Sequence, residues 1–154
     1  MIPGIKELKD GLTEEIIKEK YPWLLLANFK NVILGQDKNG LVWYNGTWFL
    51  GTWESGIWMN GFWCDGVWKE GVWKSGWWFT GVWEDGVWIY GSWRDGIWKN
   101  GTWVDGIWSS GTWETGVWKS GHWEEGTWID GRWKKGVYCD KETKQVVEFF
   151  NPPK

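Results

Sequence analysis

The chain has 154 residues, a length that fits one domain. It holds 21 Trp and 23 Gly at a net charge of −3, a bias that marks a special architecture rather than an ordinary globule. Residues 46–140 carry 8 Lys/Arg against 12 Asp/Glu, so no basic patch dominates and direct binding to nucleic-acid phosphates is disfavoured.

Residues 1–40 do not repeat. They are expected to form an N-terminal cap with a short helix and a hairpin, being too short to fold alone. Met1–Asp10 is mixed in charge and lacks an apolar core, so no secretory signal is expected. Thr13 followed by Glu14 and Glu15 reads as a helix start, with acids at the positive end of the dipole. Ile16 and Ile17 supply its apolar face, and Pro22 ends it or opens the next helix. Trp23 to Leu34 is rich in large apolar residues and is expected to pack on the first Trp layer. Its apolar stretch Trp23–Ala27 is far short of a membrane span. Asn31–Leu34 and Leu41–Tyr44 flank Gly35–Gly40 and read as a hairpin leading into residues 41–140.

From Gly46 to Asp140 one unit, Gly-x-Trp-x-x, recurs nineteen times without a slip, with Tyr138 in the Trp place of the last unit. The phase is already set at Trp43. A fixed short period means a repeat architecture. Residues two apart on a strand point the same way, so Gly and Trp share one face while positions 2 and 4, rich in Lys, Glu and Thr, face water. The Trp face is then the buried one, with Gly leaving room for the indole. Position 5 is Asp, Asn or Ser in twelve of the nineteen units, which is turn chemistry. Each pentad therefore reads as one short strand plus one bend. After the array, Val137–Cys139 and Val146–Phe150 flank Asp140–Gln145 as a second hairpin, so residues 141–154 supply a hairpin strand and a tail. Repeat arrays need such atypical ends.

The pentad resembles that of the pentapeptide-repeat proteins, with Gly46/Trp48, Gly51/Trp53 and their successors in the small and large inward places. The resemblance covers residues 46–140 and implies an all-β, four-sided, right-handed β-solenoid, one pentad per side. The family mostly uses Ala or Cys with Leu or Phe, so the Trp is a departure that bears on the coil's cross-section. The rival is an antiparallel hairpin meander. Trp83–Trp88 carries Asp-Gly between short apolar strands, and units such as Gly51–Gly56 resemble half of a MORN-type hairpin repeat.

Four units per coil would stack residues twenty apart. Asp65, Asp85, Asp105 and Glu125 would then form an acidic column, and Glu54, Lys74, Arg94, Glu114 and Lys134 a mostly alternating one. Ile57, Trp77, Ile97, Val117 and Val137 would form an apolar outer column, a candidate protein interface.

Nothing in the sequence points to an enzyme. The single histidine, His122, stands at an outward position beside Glu124, and no Ser, Cys or Lys lies in a nucleophile motif. Every repeat Gly is absorbed by the pentad, so no phosphate loop stands out. Cys64 and Cys139 are far apart and form no CxxC, so neither a disulfide framework nor a zinc site is expected. No cofactor or metal is called for, and a reducing cytoplasmic setting is the simpler expectation. Tryptophan-rich arrays of this kind also resemble phage proteins, which implies a phage or bacterial source. The expected function is a non-catalytic scaffold acting through protein contacts, including a homodimer through the apolar column, with no membrane role. Two alternatives stand beside it. The acidic column could imitate duplex phosphates toward a topoisomerase, as the resemblance implies. The Trp residues could instead stack a glycan or nucleotide.

Overall fold

The computed structural model describes residues 1–154 and forms an all-β solenoid of about six turns. Three strands precede or open the array: β1 (Ile5–Leu8), β2 (Asn28–Asp37) and β3 (Gly40–Leu50). Seventeen two-residue strands follow, β4 to β20, from Thr52–Trp53 to Arg132–Trp133. Then come β21 (Gly136–Cys139) and β22 (Val146–Phe149). The helix α1 (Glu14–Lys20) starts where the sequence indicates, with the Thr13 side chain accepting from the Ile16 amide at 3.2 Å. Pro22 opens a short 3-10 helix, Pro22–Leu26. No helix is long and apolar enough to cross a membrane.

Each pentad is a strand and a corner, as expected, but the coil has three sides. Trp68 pairs in parallel with Trp53 and Trp83, fifteen residues away, and not with Trp88. The twenty-residue register is therefore corrected to fifteen. The meander is excluded as well, because Trp68 and Trp73 meet edge-on across a corner rather than in an antiparallel ladder. The outer faces can be named by their position 2 residues. The first runs Val42, Ile57, Val72, Val87, Thr102, Val117, Arg132. The second runs Thr47, Phe62, Trp77, Ser92, Ile107, His122, Val137. The third runs Thr52, Val67, Val82, Ile97, Thr112, Thr127. Along each face the position 2 amide donates to a glycine carbonyl one coil below, and the position 4 amide to a Trp carbonyl. Val87 bonds Gly71 at 3.0 Å and Ile89 bonds Trp73 at 2.8 Å.

The side number follows from the corner and the indole together. Corner glycines carry φ between +116° and +134°, a region closed to side chains with a Cβ. Consecutive indoles then meet edge to face, with centroids 5.5–6.1 Å apart, so three of them fill a triangular section. The glycine thus serves mainly the corner, not only the space beside the indole that the sequence suggested.

Eighteen of the nineteen in-phase Trp residues are buried and Trp128 is half-buried. Along each side the indoles stack 4.5–5.0 Å apart, within 10° of parallel. Seven donate Nε1–H to a carbonyl, as Trp63 does to Thr80 at 3.2 Å. Ten buried Nε1 atoms have no acceptor, including all of Trp53, Trp68, Trp83, Trp98 and Trp113 on the third side. An unmet donor costs about 1–3 kcal/mol. Burying an indole of roughly 200 Å² contributes up to about 5 kcal/mol, an upper bound, so burial wins at each site.

Gly86 shows what the corner demands. Its φ is +123°, and an added Cβ would fall against the Gly71 carbonyl oxygen and 3.3 Å from Trp68 Nε1. Gly86→Ala should therefore destabilise by about 1–3 kcal/mol through strain and overpacking. A thermal melt reads the outcome: a Tm several degrees lower is expected, and an unchanged Tm would refute this account of the corner.

Candidate functional site

The three-sided register scatters the apolar column. Ile57 and Val117 lie on the first face, separated by Val72, Val87 and Thr102. Trp77 and Val137 lie on the second, and Ile97 on the third. A twenty-residue step is one full coil plus one side of the triangle, so the five residues visit every face in turn. No single stripe exists.

The acidic column dissolves in the same way. Asp65 and Glu125 share one corner line, while Asp85 and Asp105 occupy the other two. The aspartates have a local task. Each Oδ1 accepts from the amide of the glycine that follows: Gly66 at 2.7 Å, Gly86 and Gly106 at 2.8 Å. This satisfies an N–H that the corner turns away from the ladder. Glu125 makes no such bond. Its backbone carbonyl accepts from Trp108 Nε1 at 3.0 Å.

What the fold does assemble is an aromatic area on the second face. Phe62 and Trp77 are cross-strand neighbours, 45% and 53% exposed. Phe79 lies beside them with its ring 6.3 Å from Phe62, and Arg94 sits 5.9 Å over the Phe79 ring. Above Trp77 the next rung is the small Ser92, and the rung after it is Ile107, 40% exposed. The step leaves a shallow recess of about 170 Å³, flanked at the corner by Asn60, Ser75 and by Tyr90, 54% exposed. No charged side chain lines it. Phe62, Phe79 and Tyr90 lie outside the columns expected from the sequence. The available signal was Trp77, a Trp at an outward position beside in-phase Trp78, with Phe62 fifteen residues earlier.

A second cleft lies at the C-terminal end, between the last coil and the tail, bordered by Trp123, Glu124, Tyr138, Lys141, Phe149 and Pro152. Tyr138 stacks on Phe149 at 4.0 Å, and its hydroxyl donates to the Asn151 carbonyl at 2.9 Å. No three His, Cys, Asp or Glu side chains gather as a metal site would need. His122 is half-buried above Ile107 on the second face.

Against known proteins, no family model matches the chain, and no curated protein or solved structure matches it.

Two outcomes follow from the corner and the thiols. Asp85→Ala should cost about 1–2 kcal/mol by stranding the Gly86 amide, whereas Glu125→Ala should change stability by less than about 0.5 kcal/mol. Denaturant titration of both variants checks the contrast, and equal effects would refute it. Burial, and then the Asp65 carboxylate, hold the Cys64 thiol above its ordinary value. Cys139 is exposed. A disulfide reagent at neutral pH should therefore modify Cys139 first, which mass spectrometry of tryptic peptides will show.

Proposed function

We propose that the protein is a non-catalytic solenoid scaffold that acts by protein contact through the aromatic area of its second face. One observation carries this reading. Phe62 and Trp77 stand half-exposed side by side on a flat parallel ladder, with Tyr90 and Ile107 adjoining. Contiguous exposed apolar area rimmed by polar groups is characteristic of interaction sites, and Trp and Tyr are the side chains that most often anchor them. The buried indoles hold the ladder rigid beneath the area. Kinship with the pentapeptide-repeat solenoids belongs to this proposal, resting on the shared pentad and the inward large residue. The three-sided section sets this chain apart. A cytoplasmic, phage or bacterial setting is likewise part of the proposal, supported by the composition and by two unpaired thiols.

A second reading has its own support. An uncharged recess beside an open indole and Tyr90 suits the face of a neutral sugar ring. The topoisomerase-directed reading has lost its motive, since no acidic column is assembled.

The test pairs wild type with Phe62→Lys/Trp77→Lys. Both changes lie on the outer face and should leave the fold intact by circular dichroism. Wild type should co-purify with a defined protein from its host, or self-associate by light scattering, and the variant should lose that association. A monomeric wild type that captures nothing, or captures the same protein as the variant, overturns the reading. Quenching of Trp77 fluorescence by neutral oligosaccharides would favour the second reading instead.

A further inference from the structure

The core places its redox-active rings in unbroken contact from one end of the rod to the other. Three indole columns run the length of the rod, with adjacent rings 4.5–5.0 Å apart and within 10° of parallel. Edge contacts at 5.5–6.1 Å join the columns at every step. All nineteen in-phase Trp residues therefore belong to one continuous net. Both ends of that net reach the surface. Half-buried Trp23 meets Trp53 at 5.2 Å. At the other end Trp133 meets Tyr138 at 5.6 Å, and Tyr138 borders the C-terminal cleft.

Indole is among the most easily oxidised side chains, and close parallel stacking lets neighbouring rings share a lost electron. Two features favour migration of the resulting hole over its local loss. No polar or charged residue is buried in the core. Ten buried Nε1–H groups have no acceptor to take the proton of an indole radical cation. The cation is costly in an apolar interior, but each one lies between the negative faces of two further indoles, which stabilise it. At Tyr138 the situation changes, because a phenol bordering an open cleft can release its proton to water.

We propose that the stacked indoles act as an electron-hole conduit along the solenoid, delivering oxidising equivalents from the N-terminal end to Tyr138. A one-electron oxidant such as a ruthenium(III) tris-diimine takes one electron from Trp23 and becomes ruthenium(II). The vacancy passes from indole to indole, each ring reduced by the next. Tyr138 then gives one electron to Trp133 and its phenolic proton to solvent, leaving a neutral tyrosyl radical and every indole restored. Six rung spacings of about 4.8 Å place the ends roughly 29 Å apart, a distance over which stepwise transfer far outpaces a single tunnelling step. The inference does not depend on what the second face binds.

The test uses the full chain. Cys64→Ser and Cys139→Ser remove the native thiols, and exposed Leu26→Cys, in the segment carrying Trp23, takes a ruthenium label. Tyr21→Phe, Tyr44→Phe and Tyr90→Phe leave Tyr138 as the only tyrosine. Flash-quench oxidation should give a tyrosyl radical, seen by transient absorption and electron paramagnetic resonance, in a yield independent of protein concentration. Tyr138→Phe should abolish that signal and leave indole radicals. Trp83→Phe/Trp88→Phe/Trp93→Phe removes one turn of oxidisable rings and opens a gap of roughly 10 Å, so the yield should fall roughly tenfold or more. Trp88→Phe alone leaves two columns intact and should lower it less than about twofold, a comparison that serves if the triple variant fails to fold. A parent protein that forms no tyrosyl radical overturns the proposal. So does a folded triple variant with undiminished yield, or a single variant that loses the radical as completely as the triple.

Discussion

The spacing of a β-ladder and the stacking distance of two indoles coincide, and the fold depends on that coincidence. Neighbouring strands lie about 4.8 Å apart, and offset aromatic rings pack favourably at 4.5–7 Å between centroids. A parallel ladder in register brings identical residues together at every rung. When that residue is Trp, backbone pairing and ring stacking are satisfied by the same translation, as the 4.8 Å between Trp73 and Trp88 shows. An aliphatic core could fill such a coil, but its residues would have no comparable reason to stay in column. The strict identity of the third position follows from this. One Trp out of phase by a residue would leave its column and turn outward, as Trp77 does.

The corner is the second constraint, and it is set by the backbone rather than the core. From Gly61 to Gly131 each repeat glycine approaches the carbonyl of the glycine one coil below so closely that no Cβ fits. The preceding Asp or Asn then closes the polar account of the turn by accepting the glycine amide. Two residue types therefore divide the work: glycine makes the bend possible, and the carboxylate or amide before it keeps the bend's N–H paired. Carboxylates at this position are used locally, which leaves them poorly placed to act together as a charged surface.

Much of this was legible from the chain. The pentad, the buried Trp, the turn chemistry at position 5, the Thr13 cap and both terminal hairpins read directly from residue type and spacing. The number of sides did not, because a pentad fixes one side and one corner but not the angle between successive sides. That angle comes from a glycine φ near +120° and from how three indoles meet, and neither is written in a residue name. A signal of the true register was nevertheless present. Read every fifteen residues, position 4 gives Glu54, Lys69, Glu84, Lys99, Glu114, a strictly alternating column, and Lys69 and Glu54 approach to 3.5 Å. Exposed pairs of this kind contribute little individually. Their value is as a record of which residues are neighbours, and the twenty-residue reading, with Lys74 beside Arg94, was the less regular one. The candidate site residues followed the register, so the apolar and acidic columns fell with it, and Trp77 alone carried over into the proposed aromatic area.

The ends of the rod are covered unequally, and this bears on where a binding surface can be held firmly. At the N-terminal end Phe29 packs edge-on against Trp43 and stacked over Trp48, while Trp23 covers Trp53, so all three columns begin under an aromatic ring. At the C-terminal end Phe149 stacks on Tyr138 and its carbonyl accepts from Trp133 Nε1 at 3.1 Å. Trp128, the last ring of the third column, stays half-buried. In a structure where each rung touches only its neighbours, local stability is a sum over adjacent interfaces, so opening is easiest at the less covered end. Phe62 and Trp77 stand on the first two rungs above β3, next to the fully covered end. The aromatic area therefore rests on the most firmly held part of the ladder, and a rigid support is what the proposed recognition role, with few anchoring side chains, requires.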